Sequence, residues 1–582
     1  MANKNLFKTA RGPIVPVTET KNSAGGNAYK MSAKAALAQY VCTGCLNGTF
    51  YTSAKTQLDT VKNLLDEVEP EFIGKLAIYA HKKSYMKDLP ALLVAYLAGE
   101  NGKGGGPTTE TQKRKLSVLR QVFPQVITNG TMLRNFVQMT RSATFGRKSL
   151  GEIPRNLIRD WFTNRSGAAV FSQSIGNNPS LANIIKMVHP KPNTPEKAAT
   201  LAYLLGAETV EHENGKQLVR RYLDTKDKLV KIAYSQPWEN LPTIVKEFEN
   251  WKANKALPVP AINFRFLDNE KLTTEQWADI ASKATWMTTL KNLNAYAEHG
   301  VFNVQGMTEM IAARISNADE VRKARVFPYQ IMMAYLATSS VPMAVRNAIQ
   351  DAMEVACENV PLLGNMKIFP DVSGSMKSPV TGDRGTATTK VRCVDVAALF
   401  AVAMLRRNPQ AQVIAFEQEV RHVDLNPRDT VMTNATKLAA IGGGGTNCSA
   451  PLALLNKNKD YSADVLVYIS DYESWVDRGH SAAGLMTEWK KYKEKNKKAK
   501  LVCIDLTPRT THQVKEQEDI LQIGGFSDNV FTVIERFIDG GWEKNFWVDE
   551  IEKSVLPTGI TPTVFKDNFE LLEGVDSPES ES

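Results

Sequence analysis

The chain has 582 residues, 43% of them apolar and 23% charged, with a formal net charge of +9. Such a length is about three to four domain equivalents, which excludes one ordinary domain and fits two unequal domains, one of them built from repeats. No stretch approaches the roughly 18 to 20 uninterrupted apolar residues of a membrane span, and residues 1–30 are polar without a signal-peptide core, so a cytoplasmic protein with no membrane contact is expected.

The charge is unevenly placed. Residues 1–365 carry 45 Lys and Arg against 31 Asp and Glu, a surplus of +14, while residues 366–582 carry 26 against 31, or −5. A basic domain of that size points to a polyanion, most often nucleic acid, bound through release of counterions from phosphates. The six cysteines are spread thinly and imply no disulfide framework. Cys42 and Cys45 form a lone C-x-x-C, read as packing at a helix end and not as a zinc site.

In chain order, residues 1–30 form a polar arm rich in Gly, Asn and Lys, expected to be mobile until it docks. From Ala33 to about Val360 the apolar residues recur at three and four, as in Leu58, Val61, Leu64, Leu65 and Val68, the spacing of amphipathic helices. Loops at 101–107, 164–167, 189–194 and 257–260 separate them. Helical pairs without strands predict an α-solenoid of the HEAT kind, although no strict period is visible. Basic candidates in it are His81, Lys82, Lys83 and Lys87, then Lys113, Arg114 and Lys115, then Arg141, Arg147 and Lys148. Lys186, His189 and Lys191 fall on one helix end and its loop, a geometry suited to phosphates and a stacked base. Each cluster alone reads as a solvated helix face, and His189 alone as a capping or core histidine; their number in one domain favours a positive surface.

After Pro361 strand and helix alternate. Strands are expected at 366–369, 412–416, 465–469, 500–504 and 529–534, with helices at 388–405, 450–455 and 481–492. The pattern predicts a mostly parallel sheet with helices on both faces, whose ligands sit at the carboxyl ends of strands. Asp371, Ser373 and Ser375 form a D-x-S-x-S loop after the first strand. One carboxylate and two hydroxyls suit a hard cation, magnesium or manganese, better than zinc. Three ligands leave the octahedron incomplete; Thr446, after the turn Gly442 to Gly445, and Asp471, after the third strand, are the candidate completion. A phosphotransferase of the haloacid-dehalogenase type needs a second Asp where Ser373 stands. A P-loop needs Lys where Thr446 and Asn447 follow the glycines. Pro370 withdraws one ladder hydrogen bond just before Asp371 and is expected to reshape the loop and weaken binding. The run Lys490 to Lys500 is read first as a solvated helix end and second as an accessory RNA contact. Residues 563–582 form an acidic, Ser-rich tail.

The three pieces in that order resemble the metal-ion-dependent adhesion site of von Willebrand factor A domains. The resemblance implies that Asp371, Ser373 and Ser375 supply the first loop, Thr446 the second and Asp471 the third, some of them through water. A helical domain followed by this site, with the segments 37–51, 88–97, 180–192 and 325–335, resembles the Ro ribonucleoprotein autoantigen family. That implies a TROVE helical-repeat ring over 31–362, a von Willebrand factor A domain of doubly wound α/β type over 363–562, and a divalent cation as cofactor. The implied function is scaffolding of small noncoding Y-like RNA and capture of single-stranded 3′ ends of misfolded RNA in quality control, by a monomer that is not an enzyme. An exoribonuclease or other protein would be the partner of the metal-site domain. Residues 172–178 depart from the Lys and Arg of relatives, which argues against tight Y RNA binding there. The alternative is a metal-dependent adhesion module carried by a peptide-binding solenoid.

Overall fold

The structure is a computed structural model of the full chain. It describes residues 15–557 apart from 44–45, 48, 50, 100–108, 213–214, 224–229, 268–271, 325, 327, 339, 383–390, 475–483, 528 and 541–543. The acidic tail lies outside the described residues.

Two short strands come first, β1 (Thr20–Lys21) and β2 (Asn27–Lys30), followed by ten helices: α1 (Ala33–Thr43), α2 (Ala54–Glu67), α3 (Pro70–Lys82), α4 (Asp88–Ala98), α5 (Glu110–Val126), α6 (Gly130–Arg141), α7 (Glu152–Thr163), α8 (Gly167–Ser172), α9 (Leu181–Val188) and α10 (Pro195–Leu204). Local chemistry starts them. Ser53 caps α2 by accepting the Thr56 amide at 3.2 Å, and Asn129 caps α6 by accepting that of Met132 at 2.9 Å, each satisfying a donor the helix cannot use. In α6 the buried residues Met132, Leu133, Phe136, Val137 and Thr140 repeat at three and four and form one stripe.

Helix does not continue unbroken to Val360. An antiparallel meander, β3 (Glu208–His212), β4 (Gly215–Leu223) and β5 (Val230–Pro237), interrupts the array. Its first two strands pair with His212 opposite Gly215, the first residue of β4. Gly215 has φ +99°, which only glycine adopts without strain. Helices resume at Thr243–Ala253 and run to Met343–Ala356.

Five parallel strands then build the second domain: β6 (Met366–Pro370), β7 (Gln412–Val413), β10 (Val465–Ser470), β11 (Lys500–Asp505) and β13 (Ile520–Gly524), in the order β13-β11-β10-β6-β7. Between them lie the hairpin β8 (Ala415–Phe416) and β9 (Val420–Arg421), and β12 (Thr511–His512). The central strands β6, β10 and β11 are buried on both faces, as parallel strands are, while the edge strand β7 is partly exposed. Ile368, Val467, Ile469, Val502 and Ile504 join the larger core with the helices Cys393–Arg407 and Asn529–Asp539, whereas Phe369, Leu466, Tyr468, Leu501 and Cys503 join a second core with Ala450–Asn458 and Gly484–Lys495. The segment expected as the last strand, 529–534, is thus the start of a helix. Val530, Phe531, Val533, Ile534 and Phe537 are buried at helical spacing, and the sheet position goes to Ile520–Gly524.

The arm is also ordered over Thr20–Lys30. β2 pairs with β1 and with β12, Tyr29 opposite His512, so the chain's start adds two strands beside the α/β domain. That domain touches both ends of the helical array. At the first end Glu552 lies 2.9 Å from Lys34 and 2.8 Å from Lys75, and the Trp547 indole donates to the Tyr79 hydroxyl at 3.2 Å. At the other, Arg406 lies 3.2 Å from Glu354, and Phe526 packs on Tyr329. The array is closed into a loop through the α/β domain.

Candidate metal centre and basic edges

β6 and β10 are parallel neighbours with Pro370 opposite Ile469, so their carboxyl ends deliver Asp371 and Asp471 side by side. The Asp371 amide donates to Ile469 O at 3.0 Å. Alternation along a strand turns the missing Pro370 donor toward the other neighbour, at the break between β7 and β8 around Ile414. Asp371 is fully buried; its Oδ1 accepts the Ser373 amide at 2.8 Å and its Oδ2 the Ser470 hydroxyl at 2.5 Å. The Ser373 and Ser375 hydroxyls are 3.3 Å apart.

The glycine turn is sewn onto this loop. Gly443 N donates to Val372 O at 2.9 Å and Gly374 N to Gly444 O at 2.8 Å. A Cβ on Gly442, whose φ is +83°, would stand 2.2 Å from Val372 O, so the close approach requires glycine. Glu417, 2% exposed, accepts the Gly444 amide at 2.6 Å and also binds Arg421. Although burial opposes it, these donors hold its carboxyl below the usual range. Thr446 follows, 3% exposed, its carbonyl accepting the Ser474 hydroxyl at 3.4 Å. Asp471 is 2% exposed, and Tyr472 after it takes a left-handed φ of 53°.

The five sequence-predicted residues therefore converge, and three loops far apart in sequence form one buried oxygen-lined centre. Burial first, and the neighbouring Asp471 charge second, push the Asp371 carboxyl up. Two buried carboxylates with three hydroxyls form a hard donor set that a divalent cation of magnesium type fits, because the cation would relieve that like-charge repulsion. Sequence reasoning missed Glu417, Ser470, Glu473 and Arg509. Ser470 and Glu473 flank Asp471 at a strand's carboxyl end and were findable there; the other two come from loops with no motif. Arg509 lies 3.0 Å from Glu473 and 3.9 Å from Asp471.

The basic candidates separate onto two edges of the helical array. α3, α5, α7 and α9 end on one edge, where Lys82 donates to Gln125 at 2.6 Å, Arg165 to Thr128 O at 2.8 Å and Arg159 to Val188 O at 2.5 Å. Lys82, Lys83, Lys87, Lys186, His189 and Lys191 are exposed there. His189 is the left-handed C-cap of α9, with φ 50°. Arg141, Arg147 and Lys148 lie at the opposite edge, where Arg147 donates to Ala98 O at 2.6 Å and closes the end of α4. Other basic residues are used internally. Burial lowers the His81 pKa, and its ring contacts Thr128 and Met86 O. Lys115 is buried with its ammonium 3.7 Å from the Tyr96 ring centroid, and Arg114 pairs with Glu71 at 2.7 Å. In the Lys490 to Lys500 run, Lys500 is buried and donates to Ile538 O at 3.0 Å, and Lys493 pairs with Asp519 at 3.4 Å.

Two family models match. The Ro60 vWA domain model covers residues 367–538 and the TROVE domain model residues 206–422, the two overlapping at the start of the parallel sheet. A curated relative, RNA-binding protein RO60 of Deinococcus radiodurans, is 23% identical over 573 residues, spanning 92% of this chain and 99% of the relative. The crystal structure of the Deinococcus radiodurans RO (RSR) protein is similar with a TM-score of 0.57 at 20% identity, covering 87% of this chain and 99% of that one. Among the described residues no helix is long and apolar enough to cross a membrane. Both domain models in one chain, an alignment that runs nearly end to end, and a helical array closed by a parallel-sheet domain place this chain in the Ro family, as a TROVE module joined to a von Willebrand factor A domain.

Proposed function

We infer that the chain binds RNA along the helical edge that carries Lys82, Lys83, Lys87, Lys186, His189 and Lys191. The carrying observation is that these six exposed groups form two clusters, one between α3 and α4 and one at the end of α9, on the same edge of a domain with a surplus of +14. Two separate basic clusters along one edge match an extended phosphate backbone better than a point ligand. The His189 ring, on a left-handed cap, adds a flat face on which an unpaired base can stack. The relative named an RNA-binding protein supports the same reading. The RNA is a small structured noncoding species of Y type, together with single-stranded 3′ ends of misfolded RNA, and the chain holds it without turnover.

The α/β domain is read as a magnesium-type centre whose Asp371, Ser373, Ser375, Thr446 and Asp471 would hold the ion. The ion would supply positive charge for an acidic group of a protein partner, such as an exoribonuclease. The test is binding of a structured RNA with and without a single-stranded 3′ extension, at several salt concentrations. Affinity should fall steeply with salt and should drop when the extension is removed. Binding that is absent or insensitive to salt refutes the RNA reading and leaves the adhesion module. Asp371→Ala should cost protein partners and not RNA, and Lys186→Ala with His189→Ala the reverse.

A further inference from the structure

The five residues of the metal centre are at most 7% exposed, and part of what covers them comes from the chain's own N-terminal region. The Tyr51 phenol, in the turn between α1 and α2, sits beside Ser375 and within its hydrogen-bonding reach. Its ring centroid lies 5.2 Å from the guanidinium of Arg509. Arg509 in turn lies beside Glu473 and Asp471. The β1–β2 hairpin is fastened to the same loop: the Ala24 amide donates to Glu473 Oε2 at 3.0 Å and Asn22 Nδ2 to Ser474 O at 2.6 Å. The fit is close, since a Cβ on Gly26 would stand 1.9 Å from Ser474 O.

An outside carboxylate would need to reach the ion between these groups. What stands there instead is a phenol on Ser375, with a guanidinium beside it that already balances the acidic pair Asp471 and Glu473. A cover made only for packing would be apolar. This one presents a hydroxyl to a ligand residue and a cation to the acids, the two complements of the site.

We propose that Tyr51, held by Arg509 and backed by the β1–β2 hairpin, is a lid on the metal centre, and that an acidic side chain of a partner protein reaches the centre only after this lid withdraws. The proposal rests on the metal reading of the Asp371 centre. Withdrawal exchanges the Arg509 contact with Tyr51 for contact with the incoming acid, so Arg509 serves the closed state and recognition alike.

The test uses the full chain with Mn2+ as probe ion and acetate as probe carboxylate, read by water-proton relaxation. Wild type, Tyr51→Phe, Tyr51→Ala and Ala24→Pro are compared, with Asp371→Ala as the control for the centre. Mn2+ should bind the first four and not the control. Acetate should displace Mn2+-bound water from Tyr51→Ala and Ala24→Pro at concentrations at least tenfold lower than from wild type, with Tyr51→Phe between them. Equal acetate response in wild type and the folded lid variants overturns the lid. If wild type binds no Mn2+, or binds it as Asp371→Ala does, the metal reading falls and the lid with it. Tyr51→Phe keeps the ring and its packing, so it carries the comparison if the alanine variant does not fold.

Discussion

Glu417 accepts the Gly444 amide at 2.6 Å from the turn between β8 and β9, which contributes no ligand of its own, and so sets the turn that presents Thr446. The carboxylate is a supporting residue of the centre, and losing such support typically costs about 10- to 100-fold in metal affinity. Glu417→Ala should weaken Mn2+ or Mg2+ binding by that order, measured by calorimetry on the full chain, with little change in RNA affinity. An unchanged metal affinity would show that the turn holds without it. Glu417→Gln keeps an acceptor oxygen and should fall between the two.

The pH dependence of the metal effect has a definite sign. The Asp371 carboxyl is raised, first by burial and then by Asp471. In the metal-free protein a raised carboxyl contributes stability that is complete below the ordinary aspartate range and is lost as pH rises through the folded value. Each unit of separation between the two is worth about 1.4 kcal/mol. A cation takes the carboxylate form, so its stabilising effect should grow as pH rises. Thermal unfolding with and without Mg2+ between pH 5 and 8 should show a widening gap, and Asp371→Asn should abolish it. A gap that is constant with pH would place the ion elsewhere.

For RNA, each phosphate contact adds about 0.7 to 0.9 to the slope of log affinity against log salt. The pair Lys186→Ala and Lys191→Ala should therefore lower the slope by about 1.4 to 1.8. Lys115→Ala is the informative contrast. Its ammonium lies under the Tyr96 ring and not at the surface, so the slope should stay as it is while the melting temperature falls. A lowered slope from Lys115→Ala would mean that the electrostatic footprint lies elsewhere.

Closure of the helical array runs through Tyr79, whose hydroxyl accepts from the Trp547 indole at 3.2 Å and from Asn529 at 2.5 Å. Trp547 is buried against the first helices. Removing such a side chain costs roughly 3 to 5 kcal/mol, and Trp547→Ala should speed hydrogen exchange in α1 and α3 more than in the helices next to the meander. Uniform acceleration would argue for global loss of stability.

The sequence was most legible where one chemical rule governs a segment. The apolar runs at Met366, Val465 and Lys500 are buried on both faces and read as parallel strands, and the D-x-S-x-S loop with Thr446 and Asp471 falls at their carboxyl ends. It misled where two rules compete. Residues 529–534 carry β-branched residues at strand propensity, but Val530, Phe531, Val533, Ile534 and Phe537 share one helical face, and packing decided. The meander that begins at Glu208 carries Thr, Val, Ile and Tyr residues of strand type yet lay inside a long helical rhythm. Basic clusters read alike in one dimension. Only tertiary placement separates Lys115, which is buried, from Lys191, which faces water. The lid at Tyr51 and the brace at Glu417 were illegible, because each acts on residues hundreds or tens of positions away.

The pairing of Tyr29 with His512 imposes an order on biogenesis. A nascent chain extends at about 5 to 20 residues per second, so the first hairpin emerges roughly 25 to 100 seconds before its partner strand exists. Throughout that interval it presents an open strand edge, and the first helices lack the surface that later covers them. The short length of β1 and β2 and the Lys residues at 21 and 30 limit what such an edge can recruit. Joining the two ends is therefore a late event of synthesis, and truncation anywhere before residue 512 leaves the whole array unclasped.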